Sequence, residues 1–466
     1  MTANAWSKPR SDLTCTHRNV SFSYISHIGS FIVALILGVS SANASAAQDA
    51  PIEAKADIQS AVPAGATSLR ALLEEAERDN PSIRAARQGW QAAREVPSQV
   101  ATLPDPQVQL QQFSVGSPRP FAGYTSSNFA YVGLGVSQDI PFPGKLRLRG
   151  EIAKRDAEVS ERQYESIRLS VLAALKAVYF HLAYLSKTLG ILESDGALLK
   201  QVTEAADARY RSGMGNQQDV IQAQLEQTKL IREITVHHLE VDKQEAQIKQ
   251  LLNRSQSSPD IEPVEISETP LSQTYETLLA AAEAKNPEIG GAQKMVDMQS
   301  LQVDLARKDF YPDFTVQYMV QRTDPSKYEA YYMATIGIRV PIFERRKQRH
   351  ELAQARAELD RSRSDYEAQS AQVALELRDQ YVTANRTAEL LKIYREGLDP
   401  QARAEFQAAL AGYQSGKQNF QGLLAAFLDV LHLDEEYWQN VASYETSVAR
   451  LEQFTGLSLQ NEGANR

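Results

Sequence analysis

The chain of 466 residues repeats one series of motifs about 200 residues later. Four pairs define the repeat: Asn80-Pro81 and Asn286-Pro287, Pro104-Asp105 and Pro312-Asp313, Ile140-Pro141 and Val340-Pro341, and Tyr210 with Gly213 and Tyr413 with Gly416. The offsets are 206, 208, 200 and 203 residues, so the order is kept with small insertions. A period of this length is too long for a solenoid unit. The sequence therefore predicts two structurally equivalent halves, which the fold must combine.

The N-terminal residues have the pattern of a secretory signal peptide. An apolar run at 31–39 follows three basic residues and precedes small-residue cleavage patterns. The run is too short to span a bilayer as a mature helix. We predict a signal peptide at residues 1–46 and a flexible N-terminal segment at 47–67. The only cysteine, Cys15, would leave with the signal, so the mature chain would have no disulfides, thiolate metal sites or cysteine nucleophiles.

The predicted mature chain is acidic. Residues 1–46 hold three Lys/Arg and one Asp, so their removal changes the net charge from −9 to −11. This charge argues against nucleic acid as a partner. We find no stretch after residue 46 that is apolar over the roughly eighteen residues of a transmembrane helix. An exported chain of this kind is periplasmic, secreted, or a β-barrel of the outer membrane.

Each half contains one helix far longer than a globular domain uses. Residues 144–208 contain no proline, and their apolar residues follow alternating three- and four-residue steps, as in a heptad seam. The second half repeats this pattern from about residue 345 to residue 412. About 65 residues at 1.5 Å each form a rod of roughly 100 Å. Such a rod predicts an elongated assembly.

A turn follows each rod. Gly213 and Gly416 suit the left-handed position after a helix end, and Asn216 and Asn419 offer N-caps for a returning helix. Each half therefore becomes a long helical hairpin. A further helix precedes each hairpin, with the asparagine of each Asn-Pro pair as its cap and the proline at its first position.

Between that capped helix and the rod, the apolar period changes from helical to two. The alternation predicts four strands, at 107–115, 130–140, 314–322 and 331–340. Their length matches a tilted membrane strand, and a half-buried soluble sheet is the alternative. Four strands cannot close a barrel, and lipid does not tolerate open sheet edges. Two copies would give eight strands and a filled interior, whereas the small and polar inner residues favour twelve strands from three copies.

This organisation resembles the TolC-type outer membrane efflux family. The resemblance covers about residues 69–456, and its most specific pieces are the Asn-Pro pairs, the segment 132–145 and the Tyr-x-Ser-Gly tips. It implies a mainly α fold with a membrane β-barrel. Three protomers would form a channel-tunnel, with four strands each in a twelve-stranded outer membrane barrel and a long α-helical coiled-coil barrel in the periplasm. We find no catalytic constellation and no cofactor site.

On this interpretation the chain has two structural repeats. The first spans residues 68–254, a linker follows at 255–273, and the second repeat spans 274–456. A C-terminal tail occupies 457–466.

The resemblance also implies partners and a contact surface. The partners would be a periplasmic adaptor and an inner-membrane pump, commonly of the RND type, which would supply the energy while the channel stays passive. The tips would meet the adaptor through Tyr210, Arg211, Ser212, Gly213, Asn216, Tyr413, Ser415, Gly416, Lys417 and Asn419.

The predicted gate departs from the family in one respect. In well-studied relatives two aspartates line the closed end just after the second tip, but the aligned positions here are Gly422 and Ala425. Asp219 does match an acidic gate position of the family. The constriction would then rest on Asp219, Phe420 and other tip residues. The alternative for Asp219 is a first-turn acid that complements the helix dipole.

The transported substrate stays open between metal cations and drugs. The segment 141–145 resembles the heavy-metal-efflux branch. The exit duct of a type I protein secretion system is an alternative function, and a soluble periplasmic coiled-coil scaffold is an alternative of another class. We interpret the pair His237-His238 as a solvated helix face and not as a metal site.

Overall fold

The structure is a computed structural model that describes residues 68–114, 130–323 and 330–459. The predicted signal peptide, the segment 47–67 and the end of the predicted tail lie outside the described residues, as do the connections within each pair of strands.

Two similar series of helices and strands make up the described chain. The first series is α1 Leu69–Asp79, α2 Pro81–Ala101, β1 Gln107–Phe113, β2 Tyr131–Ile140, α3 Lys145–Arg211 and α4 Gln217–Leu251. The second is α5 Tyr275–Lys285, α6 Pro287–Lys308, β3 Asp313–Arg322, β4 Tyr331–Arg339, α7 Gln348–Ile393, α8 Asp399–Gln414 and α9 Phe420–Thr455. The strands form one antiparallel sheet in the order β1-β2-β3-β4. The prediction of a mainly helical fold with four strands is confirmed.

Each Asn-Pro pair ends one helix and starts the next. The Asn80 side chain accepts hydrogen bonds from the backbone N–H groups of Ser82 and Ile83, at 2.9 and 3.2 Å, which caps α2. Its amide also donates to the Leu251 carbonyl at 2.7 Å, at the end of α4. Asn286 makes the same contacts in the second half. Two helices, not the one predicted, therefore precede each pair of strands.

The two strand pairs have equivalent registers. Gln107 of β1 lies opposite Ser137 of β2, and Thr315 of β3 lies opposite Gly337 of β4. An offset of 208 residues relates β1 to β3, and an offset of 200 relates β2 to β4. The rods keep the offset of 200, since the buried residues Leu148, Ala173 and Tyr184 of α3 correspond to the buried residues Gln348, Val373 and Ala384 of α7. The offsets therefore assign a structural counterpart to each residue of these segments.

The sheet has one apolar face and one mixed face, on which small and polar residues lie beside Met319 and Met333. The apolar residues, 42% to 73% exposed, are Val108, Leu110, Leu134, Val136, Val316, Tyr318, Ile336 and Ile338. The opposite face includes Gln107, Gln109, Gly133, Gly135, Thr315, Gln317 and Gly337. Within the described residues, β1 and β4 each have one edge without a neighbouring strand. Within the described residues, the apolar face of the sheet is therefore uncovered, and the backbone N–H and C=O groups along its two edges have no neighbouring strand to bond to.

The helix α3 has 67 residues, and at 1.5 Å per residue it is about 100 Å long. One 18-residue window of α3 has a mean hydropathy of 1.4, so a helix of this composition is long and apolar enough to cross a membrane. The expectation of no such stretch after residue 46 was wrong. Leu175, Tyr179 and Leu182 of α3 instead pack in a core with residues of α1, α4 and α9. Their burial identifies this stretch as part of a helical bundle.

The second rod is interrupted, contrary to the prediction of one continuous helix. A π-helical turn, Tyr394–Leu398, lies between α7 and α8. Pro400 follows it and has no N–H to donate to the carbonyl of Glu396, so an irregular turn is expected here. The offset between the rods also changes in this region, from 200 at Tyr184 to 203 at the tips. A single π-helical turn within an otherwise α-helical rod is the usual form in which π-helices occur.

Candidate functional site

The first hairpin tip is a tight turn after α3. Gly213 has φ +73°, a left-handed conformation that favours glycine, and its N–H donates to the Tyr210 carbonyl at 3.0 Å. Ser212 closes the helix end by donating from its hydroxyl to the Arg209 carbonyl at 2.9 Å. Asn216 precedes α4, but its side chain makes no capping hydrogen bond. Asn216 is therefore the N-cap residue, as predicted, but it caps through its backbone carbonyl, which accepts from the Asp219 N–H at 3.2 Å.

The second tip has the same turn, and the helix after it has a side-chain capping hydrogen bond. Gly416 has φ +78°, and its N–H donates to the Tyr413 carbonyl at 3.1 Å. Ser415 donates to the Gly412 carbonyl at 3.1 Å, and the neighbouring Lys417 is exposed. Asn419 accepts a hydrogen bond from the Gly422 N–H at 2.9 Å, as predicted for the cap of α9.

Arg209 joins the two tips, and sequence analysis missed it. Its guanidinium donates to the carbonyl of Tyr413 in the second tip and, at 3.1 Å, to the carbonyl of Met214 in its own tip. The guanidinium carbon also lies 4.8 Å from the centre of the Tyr413 ring. When Tyr210 is aligned with Tyr413, Arg209 corresponds to Gly412. The sequence signal for Arg209 was therefore an arginine that is present in only one of the two repeated tips.

Tyr413 and Phe420 belong to the core between the hairpins. Each is 2% exposed, and their rings pack edge to face with centroids 5.7 Å apart. Burial, and then the negative charge of Asp219, raises the pKa of Tyr413. The burial of Phe420 removes it from the surface of this conformation and gives it a packing role. Phe420 therefore does not line a constriction here, which leaves Asp219 as the gate candidate.

Asp219 lies in the first turn of α4 and is partly exposed. Nearby, the Gln421 side chain of α9 donates to the Gln222 side chain of α4 at 2.7 Å, so polar amides join the two returning helices. Gly422 is partly exposed and Ala425 is exposed, so these two positions after the second tip present no charge.

A group of charges around the buried Asp195 lies farther from the tips, between the hairpins. Asp195 of α3 is buried, and its Oδ2 has no hydrogen-bond partner among the described residues. Burial and the nearby Asp434 carboxylate raise the pKa of Asp195 to about 6, against the opposing charge of Arg403. Arg403 of α8 binds both oxygens of Asp434, at 2.6 and 2.8 Å. Asp195 therefore adds a titratable carboxyl to the core where α3 packs on α8 and α9.

The two residues of the histidine pair differ in burial. His238 is exposed, as predicted, but His237 is buried, and its Nε2 lies 3.5 Å from Glu435. The prediction of a solvated face was therefore wrong for His237. Within the described ranges, no group of three or more His, Cys, Asp or Glu residues is arranged to hold a metal ion.

The sequence family that matches this chain agrees with the duplicated fold. The outer membrane efflux protein family matches residues 72–254 and 278–457, one segment in each half. The chain belongs to the outer membrane efflux protein family. The resemblance inferred from the sequence is confirmed. Membership makes the chain an outer membrane protein with a role in efflux, and not an enzyme.

Solved channels of this family type share the fold. The outer-membrane channel OprN matches with a TM-score of 0.72 at 18% identity, over 84% of this chain and 90% of its own. VceC of Vibrio cholerae matches with a TM-score of 0.72 at 18% identity, over 84% of this chain and 96% of its own. CusC has the same TM-score and identity, over 84% of this chain and 92% of its own. A comparison with curated protein sequences finds no match.

Proposed function

We propose that three copies of this chain form a channel through the outer membrane that serves as the exit of an efflux system. The four-stranded sheet carries this proposal, because its apolar face is exposed along the whole strand length while both of its edges lack partners. Lipid would cover the apolar face. In hydrocarbon, the edge N–H and C=O groups require strands from other copies.

The inner face favours a lumen over a packed interior. The glutamines of this face are polar, and Gly133 and Gly135 make space for the Met319 side chain, which a Cβ at either position would crowd. An eight-stranded barrel would bury this face against itself, whereas twelve strands leave a water-filled space. Three copies of four strands are therefore the smallest closed assembly that suits these side chains.

The helices also have faces that a neighbouring copy would cover. Large apolar residues are exposed along α4, namely Ile221, Leu225, Ile231 and Leu239, and along α7, namely Leu375, Val382, Leu390 and Ile393. Inside the subunit, α3 packs against α9 of the other half. The equivalent contact of α7 is with α4, and in a closed ring that α4 belongs to the next copy.

The offsets also give the register between copies. Within the subunit Val136 of β2 lies opposite Tyr318 of β3. The corresponding pair between β4 and β1 is Ile336 and Leu110 of the next copy. Residues directly opposite each other in an antiparallel pair have Cβ atoms about 4.5–5.5 Å apart, close enough for a disulfide after small adjustments.

The tips would meet a periplasmic adaptor, and an inner-membrane pump of the RND type would supply the energy. Three observations support this part of the proposal. The Tyr210, Arg211 and Lys417 side chains are exposed at the tips, the partly exposed Asp219 lies beside them, and nothing in the described chain resembles an energy-coupling or catalytic site. The channel then opens when the second hairpin moves relative to the first.

The experiment combines assembly and conductance. Purified protein in detergent should have the mass of a trimer and should conduct ions in planar bilayers. The Leu110→Cys/Ile336→Cys variant should form covalent dimers and trimers on oxidation, while Leu110→Cys/Tyr332→Cys, four residues out of register, should not. A monomer without conductance would instead support the soluble scaffold.

The transported substrate requires a separate test. We propose small substrates, and metal cations are favoured over drugs only by the resemblance of segment 141–145 to the heavy-metal branch. A deletion strain should become sensitive to metal salts if this is right. Unchanged metal tolerance with increased drug sensitivity would assign the channel to a drug pump, and retention of an exported protein would assign it to type I secretion.

A further inference from the structure

The junction between sheet and rod in the first half is held by residues of the second half. Phe142, just after β2, stacks on Tyr311 with ring centroids 4.6 Å apart. Its N–H donates to the Asp313 carboxylate at 2.8 Å. Lys145, the buried first residue of α3, lies 2.9 Å from Asp313 and 3.2 Å from Asp309. One apolar contact and one ion pair thus lock β2 and α3 to the start of β3.

The counterparts of these residues keep the same chemistry. The offset of 200 relates Phe142 to Ile342 and Lys145 to Arg345, and the offset of 208 relates Tyr311 to Leu103 and Asp313 to Asp105. An aliphatic pair replaces the aromatic stack, and a basic residue again faces an acid. The contact with Asp309 has no equivalent, because its counterpart is Ala101.

Within the subunit these four counterparts are exposed. Ile342 is 74% exposed and Leu103 is 47% exposed, although both are large and apolar. Asp105 and Arg345 are also exposed, and neither has an ion-pair partner within the described part of the chain. The residues that form this contact in the first half therefore have counterparts of the same chemistry, but within one subunit these counterparts do not contact each other.

We propose that Arg345 of one copy pairs with Asp105 of the next copy, beside a contact between Ile342 and Leu103. This inference rests on the proposed trimer, in which β4 of one copy adjoins β1 of the next. Three such contacts then form the border between the barrel and the helices. This border is then a ring of six junctions, of which three lie within subunits and three lie between subunits.

The start of the second rod agrees with this assignment. The helix α3 begins at Lys145, but α7 begins at Gln348, three residues after the counterpart of Lys145. Residues 342–347 instead form turns, in which the Arg346 N–H donates to the Phe343 carbonyl at 2.9 Å. With Arg345 held by Asp105 of the next copy, α7 can begin about one turn earlier, as α3 does.

Charge reversal tests the pair directly. In detergent, the full-length Arg345→Asp and Asp105→Arg variants should each dissociate from trimer to monomer about tenfold faster than the wild type, since like charges then face each other. The double variant should restore the wild-type rate. Arg346→Asp is the matched control, because it makes the same charge reversal at the adjacent exposed residue. Combining Arg346→Asp with Asp105→Arg should not restore the wild-type dissociation rate.

The outcomes separate this inference from the trimer itself. Additive losses in the double variant, or restoration by Arg346→Asp, would overturn the Arg345 assignment while wild-type trimers remain. A Leu103→Cys/Ile342→Cys variant should also form covalent bonds between copies, and its failure in an intact trimer counts against the same contact. If the wild-type chain is a monomer, the trimer and the junction between copies are both wrong.

Discussion

The two hairpin tips share a turn but differ in what surrounds it. Tyr210 and Tyr413 occupy the same motif position, yet Tyr210 is 45% exposed and Tyr413 is 2% exposed. Tyr413 packs on Phe420 in the core between the hairpins, and Arg209 approaches from the first tip and donates to the Tyr413 carbonyl. The second tip is therefore part of the core between the hairpins, whereas the aromatic residue of the first tip is on the surface.

This asymmetry affects how the two hairpins hold together. Movement of the second hairpin away from the first would expose Tyr413 and break the Arg209 contacts, so these contacts hold the hairpins in the described conformation. Substitution of surface residues of the first tip neither exposes Tyr413 nor breaks the Arg209 contacts. The predictions below compare matched residues of the two hairpins.

The largest difference is expected for the tyrosines. Tyr413→Ala should destabilise the tip by about 3–5 kcal/mol, because it leaves a cavity in the core, while Tyr210→Ala should change stability by less than about 1 kcal/mol. Amide hydrogen exchange at residues 405–425 measures the local opening, and conductance of the closed channel should rise with it.

A second variant of the same residue separates packing from polarity. No hydrogen-bond partner of the Tyr413 hydroxyl is found in the part of the chain that the structure describes. Tyr413→Phe should therefore be neutral or slightly stabilising. Equal losses for Tyr413→Ala and Tyr210→Ala would contradict the asymmetry.

The arginines give the next largest difference. Arg209→Ala removes hydrogen bonds from a charged donor to two carbonyls and should cost about 1.5–3 kcal/mol. Arg211→Ala removes an exposed ion pair with Asp207, 2.7 Å apart, and should cost less than about 0.5 kcal/mol. The measurement is again hydrogen exchange, now at both tips. A loss confined to the first tip would show that Arg209 does not hold the second.

Protonation of Asp195 should change the contact between the hairpins. Its pKa is raised to about 6, above the ordinary value, so folding favours the protonated carboxyl. Stability should fall as the pH rises from about 4 to about 6, and remain lowest above that range. The total change is on the order of 2 kcal/mol.

Asp195→Asn should remove this pH dependence, and at pH near 7.5 it should be more stable than the wild type. Thermal unfolding followed by helical circular dichroism measures both effects. Asp429→Asn, an exposed position on α9, is the control and should follow the wild type at each pH. A wild-type stability that rises between pH 4 and 6 would rule out Asp195 as the titrating group.

Sequence patterns predicted the elements of this fold better than their partners. Gly213 and Gly416 marked the turns because only glycine adopts positive φ without strain, and the Asn-Pro pairs marked helix starts because the cap and the fixed proline φ are local. The period-two strands were equally local. These signals depend on neighbouring residues, so they can be read without the tertiary structure.

Contacts between distant residues were not predictable in the same way. Arg209 and Tyr413 are 204 positions apart, and Phe420 was assigned to the gate because its place after the tip gives no information about burial. The π-helical turn was missed because the heptad pattern of the second rod continues through it, although the change of offset from 200 to 203 was present in the sequence. Burial of His237 depends likewise on a helix from the other half.

The smallest difference concerns the caps. Asn419 bonds to the Gly422 N–H, whereas the Asn216 side chain makes no capping hydrogen bond. Asn419→Ala should therefore cost about 1 kcal/mol, and Asn216→Ala should cost only a few tenths of that. Hydrogen exchange of the first turn of each returning helix measures the effect, and Asn419→Asp, which keeps the acceptor, should retain protection. If both alanine variants cost the same, the returning helices start alike, and the asymmetry is confined to Arg209 and the tyrosines.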